Sequence, residues 1–269
     1  MDSKLLRAIN TVYACLLALF LIVPSLVVIP LAFSTSQFLE FPPPGFSTRY
    51  FQEFFADMQW RTALQRSLNV ALVSVLISLP IGVAASWWLV RGRSRFKNLV
   101  ESTLMLPMMI PIVVFGLGAY LILLRFHLVG NLWMVAATHA VLEIPFVVLT
   151  VTAALQTFDF RLVRAARVCG AGSFTAFRSV VLPIIAPAVG AGALIGLMTS
   201  FDEAVIALFI AGDTLPTLPV QMFNSITYDV NPLVPVAATV LTVVTLVLLL
   251  AALLLVRWSR KRTDIQIRL

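Results

Sequence analysis

The chain alternates long apolar runs with short basic blocks, and this pattern limits it to very few folds. Six runs are long enough to cross a hydrocarbon core of about 30 Å, which takes about 20 helical residues. They are Val12–Phe33, Leu68–Val90, Leu99–Leu124, Leu132–Leu155, Ile184–Ile210 and Leu233–Val256. Within lipid every backbone N–H and C=O must find its partner inside the segment, which leaves α-helices or a closed barrel. Barrel strands would show period-2 polarity, and these runs have none. The expectation is an all-α polytopic membrane protein with six transmembrane helices. Composition agrees: only 12% of the residues are charged, about half the share in a soluble domain.

Lys and Arg set the orientation. Lys4 and Arg7 precede the first run, and Arg91, Arg93, Arg95 and Lys97 separate the second from the third. Arg161, Arg164, Arg167 and Arg178 separate the fourth from the fifth, and Arg257, Arg260, Lys261, Arg262 and Arg268 follow the sixth. These fifteen of the nineteen basic residues share one side. Arg49, Arg61, Arg66 and Arg125 fall on the other. The positive-inside rule then places both termini in the cytoplasm, as an even number of crossings requires. The net charge of +7 therefore reports topology, and no nucleic-acid partner is expected. The first run is too long for a signal-peptide core and no A-x-A site follows it, so it reads as a retained helix.

The chain divides into an N-terminal helix and outer loop (1–62), a transmembrane domain (63–257) and a basic tail (258–269). The outer segments Ser34–Ser67, with a short Phe-rich helix near Tyr50–Met58, and Gly212–Pro232 are long enough to serve a partner or merely to connect. Several apolar runs contain proline, among them Pro80, Pro107, Pro111, Pro145 and Pro187. Such breaks are tolerated where neighbouring helices or a water-filled cavity satisfy the freed carbonyls.

The segment Phe160–Pro183 reads FRLVRAARVCGAGSFTAFRSVVLP. Leu162, Ala165, Ala166 and Cys169 fall at i, i+3, i+4, i+7, a helix face of mostly small residues that another protein can approach closely. Gly170 stands where a left-handed C-terminal cap is needed, Ser173 is placed to cap a second short helix, and Pro183 opens the next span. On these residues alone, a protein-docking helix–turn–helix and an amphipathic helix lying among headgroups are equally good readings.

Three acids lie inside predicted spans away from the inner boundary: Glu143, Asp202 and Glu203. Burying a charge at the bilayer centre costs roughly 2.5–3.5 kcal/mol, so each is a candidate for the substrate path. The structural alternative is a hydrogen bond or a salt bridge, for instance to Arg66 or Arg125. Asp202 lies about 27 Å along its helix from Ile184, near the outer mouth, and the neighbouring Glu203 points about 100° away. Gly192 and Gly196 form a GxxxG that permits close helix contact, within the subunit or between subunits.

No G-x-x-x-x-G-K-[ST] loop, HExxH or G-x-S-x-G occurs. No catalytic residue, metal site or cofactor is expected, and Cys15 and Cys169 read as free thiols. Energy must come from a partner or from a gradient.

The 160–183 segment resembles the EAA loop of binding-protein-dependent ABC importer permeases (type I), through Ala165, Ala166, Gly170, Ala171, Phe177, Leu182 and Pro183. Arg164 stands where the family has glutamate. The resemblance implies that Arg164, Ala165, Ala166, Gly170 and Ala171 dock an ATPase subunit. It further implies a bacterial inner-membrane assembly of two ATPase subunits, a second permease and an extracytoplasmic substrate-binding protein. The stretches SFDEAVIALFIAG (Ser200–Gly212) and LPVQMFNSI (Leu218–Ile226) are similar to the spermidine/putrescine branch, which implies a small cationic cargo such as a polyamine. Other amines, amino-acid-like solutes and phosphonates stay open, as does a gradient-driven secondary transporter.

Overall fold

A computed structural model describes residues 3–228 and 231–267. All of its regular elements are helical: α1 (Ser3–Ala32), α2 (Arg49–Ala56), α3 (Met58–Arg91), α4 (Lys97–Met109), α5 (Ile112–Arg125), α6 (Leu132–Gln156), α7 (Arg161–Val168), α8 (Ser173–Ala176), α9 (Leu182–Asp202), α10 (Val205–Ala211), α11 (Leu218–Tyr228) and α12 (Leu233–Ile267). Four described stretches are long and apolar enough to span a membrane: Met58–Arg91, Leu132–Gln156, Ser173–Asp202 and Leu233–Leu254. The pair α4–α5, bent by 103°, makes a fifth if counted as one span. The first predicted run, all but its last residue Phe33, lies within the 30-residue helix α1. The basic tail continues α12 to Ile267, while Arg268 lies outside the described residues.

Two expectations need correcting. The predicted span Leu99–Leu124 is two helices, because Pro111 lacks an N–H and forces the preceding Ile110 out of the helical region; Ile110 is extended at ψ 131°. The predicted span Ile184–Ile210 ends early at Asp202 and restarts at Val205, with Glu203 extended at φ −75°, ψ 120°. The outer segment Gly212–Pro232 contains helix α11.

The chain forms two compact units. One comprises Met1–Thr62 and Gln221–Val244. Within it the outer loop is ordered on itself: Ser34 and Phe46 form a bridge, the Tyr50 hydroxyl donates to Ser36 O at 3.0 Å, and Phe33 packs on Phe51. The expected short helix near Tyr50–Met58 is α2, seated through buried Tyr50 and Phe54.

The other unit comprises Ala63–Val220 and Thr245–Leu269. Among its described residues it has two apolar cores. Val70, Val135, Leu142, Ile206 and Ile210 build one, and Val147, Val151, Leu155, Val163 and Ile185 the other. Glycines bring its helices together. A Cβ on Gly82 would stand 2.5 Å from Val147 Cγ1, and one on Gly192 3.2 Å from Val147 Cα. One on Gly196 would meet both Glu143 Oε2 and Val75 Cγ2 at 3.2 Å. The GxxxG thus packs within the subunit, against α6 and α3.

Candidate functional site

The first site residues lie in the α7–α8 elbow. Asp159 starts it: its carboxylate accepts from Arg161 N at 2.9 Å and from Arg161 Nε at 2.9 and 3.1 Å. The bond from the Arg161 backbone N–H is the main reason the Asp159 carboxyl is held below its ordinary range. Desolvation opposes it, and the Arg161 side-chain hydrogen bond and the Arg161 and Arg164 guanidinium charges reinforce it in smaller measure. At the far end Gly170 has φ +88°. Its N–H donates to Arg167 O at 3.1 Å and that of Ala171 to Ala166 O at 3.0 Å, the paired bonds of a Schellman cap. Ser173 does not cap the second helix. Gly172 occupies that position, and Ser173 is already helical. From Phe177 to Val181 the turns widen to a π-helix, next to Pro183, which has no N–H to donate.

Val163 turns inward, with Ala166 and Ala171 packed on the same core. Leu162, Ala165 and Cys169 stay exposed, beside Val168 at 87% and Phe174 at 75% exposure. Arg164 is exposed and makes no ion pair among the described residues. The base of the elbow is aromatic. Trp87 lies 5.2 Å from Phe177 and 6.1 Å from Phe160, and the Arg91 guanidinium sits over Trp87 and Phe160 at 5.5 and 5.1 Å. This anchors the elbow to the end of α3 while leaving an apolar surface open.

The second group lies deep in the helices. Glu143 is fully buried. Its Oε1 accepts from Ser74 Oγ at 2.5 Å and its Oε2 from Ser78 Oγ at 2.7 Å. Ser74 Oγ lies 3.2 Å from Ser200 Oγ, which is 2.7 Å from His139 Nδ1. On the opposite ring edge, His139 Nε2 is 3.1 Å from Glu203 Oε2, close enough for a charge interaction, although the ring N–H is not aligned as a hydrogen bond. Glu203 then turns back on its own chain. Oε1 accepts from Val205 N (2.8 Å) and Ile206 N (3.0 Å), and Oε2 from Ile206 N (2.9 Å) and Ala207 N (3.3 Å).

The structure therefore brings Glu143 and Glu203 into one buried chain, Glu143–Ser74–Ser200–His139–Glu203, and leaves Asp202 out of it. Glu203 caps the start of α10, satisfying amides that a helix beginning inside an apolar core would otherwise orphan. Its partner is His139; Arg66 and Arg125 make no ion pair with it or with Asp202 among the described residues. Asp202, across the helix break, is exposed and faces the Thr245 hydroxyl on α12. The two acids diverge because the helix ends between them, not through the 100° step of one continuous helix.

Sequence reasoning singled out Glu143 and missed His139, Ser74, Ser78 and Ser200. The signal was present as spacing. Ser74 and Ser78, and His139 and Glu143, are i, i+4 pairs in apolar runs, each a polar stripe on one helix face.

Residues 78–265 match the family described as "Binding-protein-dependent transport system inner membrane component". The spermidine/putrescine transport system permease protein PotC of Escherichia coli (strain K12) is 30% identical over 263 residues, 97% of each chain. The putrescine transport system permease protein PotI of the same strain is 30% identical over 92% of this chain and 91% of its own. The molybdenum transport system permease protein ModB of Haemophilus influenzae is 32% identical over 75% of this chain and 93% of its own. Among solved structures, a bacterial alginate ABC transporter in complex with an alginate pentasaccharide-bound periplasmic protein superposes with a TM-score of 0.72 at 17% identity, covering 93% of this chain and 92% of that one. The MetNI methionine ABC transporter, in an inward-facing form, gives 0.63 at 17% identity over 78% and 97%.

Proposed function

The chain belongs to the family of inner-membrane components of binding-protein-dependent transport systems, and from that premise we propose that it carries a polyamine such as spermidine or putrescine across the membrane. It is a permease subunit of an ABC importer, and its family is a transport component, not an enzyme. The observation that carries the cargo reading is the 30% identity to a spermidine/putrescine permease along 97% of both chains. Asp202 supports it: an exposed carboxylate in an apolar span attracts a cation and repels an oxyanion. That argues against a molybdate-type cargo despite the likeness to ModB.

In this reading the chain crosses the inner membrane six times with both termini in the cytoplasm. It pairs with a second permease, and an extracytoplasmic binding protein delivers the solute. The α7–α8 elbow sits in a groove of the ATPase subunit through Ala165, Ala166, Gly170 and Ala171. Arg164 contributes a positive charge to that contact and calls for an acidic residue opposite. Two ATPases closing on ATP draw the paired elbows together and switch the cavity from one side of the membrane to the other. Asp202 lines the path; Glu143 and Glu203 hold the helices around it.

Uptake of radiolabelled putrescine by cells expressing the complete transporter tests this. Uptake should depend on the ATPase gene and compete with spermidine but not with molybdate. It should also fall at least tenfold in Asp202→Asn. ATPase-independent uptake, competition by molybdate or full activity in Asp202→Asn refutes the corresponding part.

A further inference from the structure

The last turns of α3 and α6, the first turns of α4 and the elbow before α7 enclose a recess of about 280 Å³. Its apolar part is formed by Leu89 and Leu155. Its polar part is Lys97 and Glu101, one turn apart on α4, and Thr152 and Gln156, one turn apart on α6. None of these four side chains makes a hydrogen bond or ion pair among the described residues. Lys97 and Glu101 have the i, i+4 spacing at which opposite charges ordinarily meet on a helix, yet they do not bridge. The Thr152 hydroxyl oxygen is buried with no partner, an arrangement that a native structure rarely leaves unexplained. The recess thus holds a cation, an anion, an unpaired hydroxyl and an amide.

We propose that this recess seats the headgroup of a zwitterionic phospholipid bearing a primary ammonium, phosphatidylethanolamine, with its phosphate on Lys97 and its ammonium on Glu101. The chemistry selects this ligand in three steps. The opposite, unpaired charges match a zwitterion, and Lys97 opens α4, whose N-terminal dipole adds to its pull on phosphate. The ammonium must donate hydrogen bonds to the Glu101 carboxylate and the oxygens of Gln156 and Thr152. A choline headgroup has no N–H and leaves them unpaired. The volume lies at the low end for small-molecule pockets, which suits a headgroup better than a whole solute.

The source is a lipid because the recess lies where spans end, the depth at which hydrocarbon gives way to headgroups. Leu99 and Phe96, near Lys97 in the chain, are 64% and 53% exposed, apolar surface suited to acyl chains. Phe160 also borders the recess and lies under Arg91, so the headgroup touches the aromatic base of the α7–α8 elbow.

Native mass spectrometry of the full-length chain, purified in detergent and incubated with dioleoyl phosphatidylethanolamine, phosphatidylcholine or phosphatidylglycerol, tests the site without reference to transport. Its failure would leave the importer reading untouched. Phosphatidylethanolamine should be retained at collision energies that strip the other two. Lys97→Ala/Glu101→Ala should bind it roughly tenfold more weakly. Both positions are at least partly solvent-exposed, and an unchanged elution volume shows that the variant is folded. Asn69→Ala, in a separate groove beside Trp133, should bind as the wild type does. Equal retention of the three lipids, or undiminished phosphatidylethanolamine binding by the double variant, overturns the proposal. Free phosphoethanolamine binding as tightly as the lipid also overturns it, since the site would then belong to a soluble zwitterion.

Discussion

Glu203 separates two roles that a membrane carboxylate can play, cargo contact and helix cap, and substitution there tells them apart. Its oxygens take the N–H groups of Val205, Ile206 and Ala207, the first three amides of α10, which have no partner within their own helix. Glu203→Ala leaves all three buried and unpaired, and leaves His139 without its carboxylate. Each orphaned buried amide costs about 1–3 kcal/mol. These three contributions overlap, so the expected loss is about 3–5 kcal/mol. Glu203→Gln keeps Oε1 for Val205 and Ile206 but replaces Oε2, which accepts from Ile206 and Ala207, by an NH2 group that cannot accept, so the Ala207 amide alone is left without a partner. Its expected loss is about 1–3 kcal/mol, the cost of one orphaned amide. Denaturant titration in detergent, followed by tryptophan fluorescence, measures both, and putrescine uptake is read in parallel. Uptake should fall in step with stability: strongly in Ala, mildly in Gln. A Gln variant as stable as wild type but inactive in uptake would show that the carboxylate meets the cargo. An Ala variant within about 1 kcal/mol of wild type would refute the cap.

Three further outcomes follow from particular positions. Gly170→Ala places a side chain at φ +88° with nothing within 4 Å of its Cβ, so the penalty is conformational, about 1–2 kcal/mol. Copurification of the ATPase should weaken, whereas Gly172→Ala, at φ −63° and equally open, should leave it unchanged. Asp159 has a folded pKa below its unfolded value, so its anchoring of α7 is present above the unfolded pKa and is lost as pH falls through the folded one. Hydrogen exchange of the α7 amides should accelerate in that acid window, and Asp159→Asn should abolish the pH dependence. Gly82→Ala drives a Cβ to 2.6 Å from Val147 Cβ, on a stiff branched side chain. A loss of about 1–3 kcal/mol in the same denaturant titration is expected, and Val147→Ala in the same chain should relieve part of it.

The sequence by itself determined the membrane class, most of the spans and the elbow. Run length against bilayer thickness, and glycine at a left-handed position, are local facts that one strand of text carries. Gly170 is readable as a C-terminal cap because its demand is on φ alone, and Pro111 marks in the sequence the break in the third span. Which polar groups meet depended on the tertiary structure. Ser74, Glu143 and Ser200 are far apart in the chain, and only the close approach of α3, α6 and α9 through Gly192 and Gly196 makes them neighbours. The break after Asp202 has no proline to announce it. It exists because the Glu203 side chain supplies the hydrogen bonds that the backbone gives up, and a helix propensity cannot register that exchange. Adjacent acids that looked like equal candidates were therefore divided by packing, one turned outward beside Thr245 and the other closing a buried chain with His139.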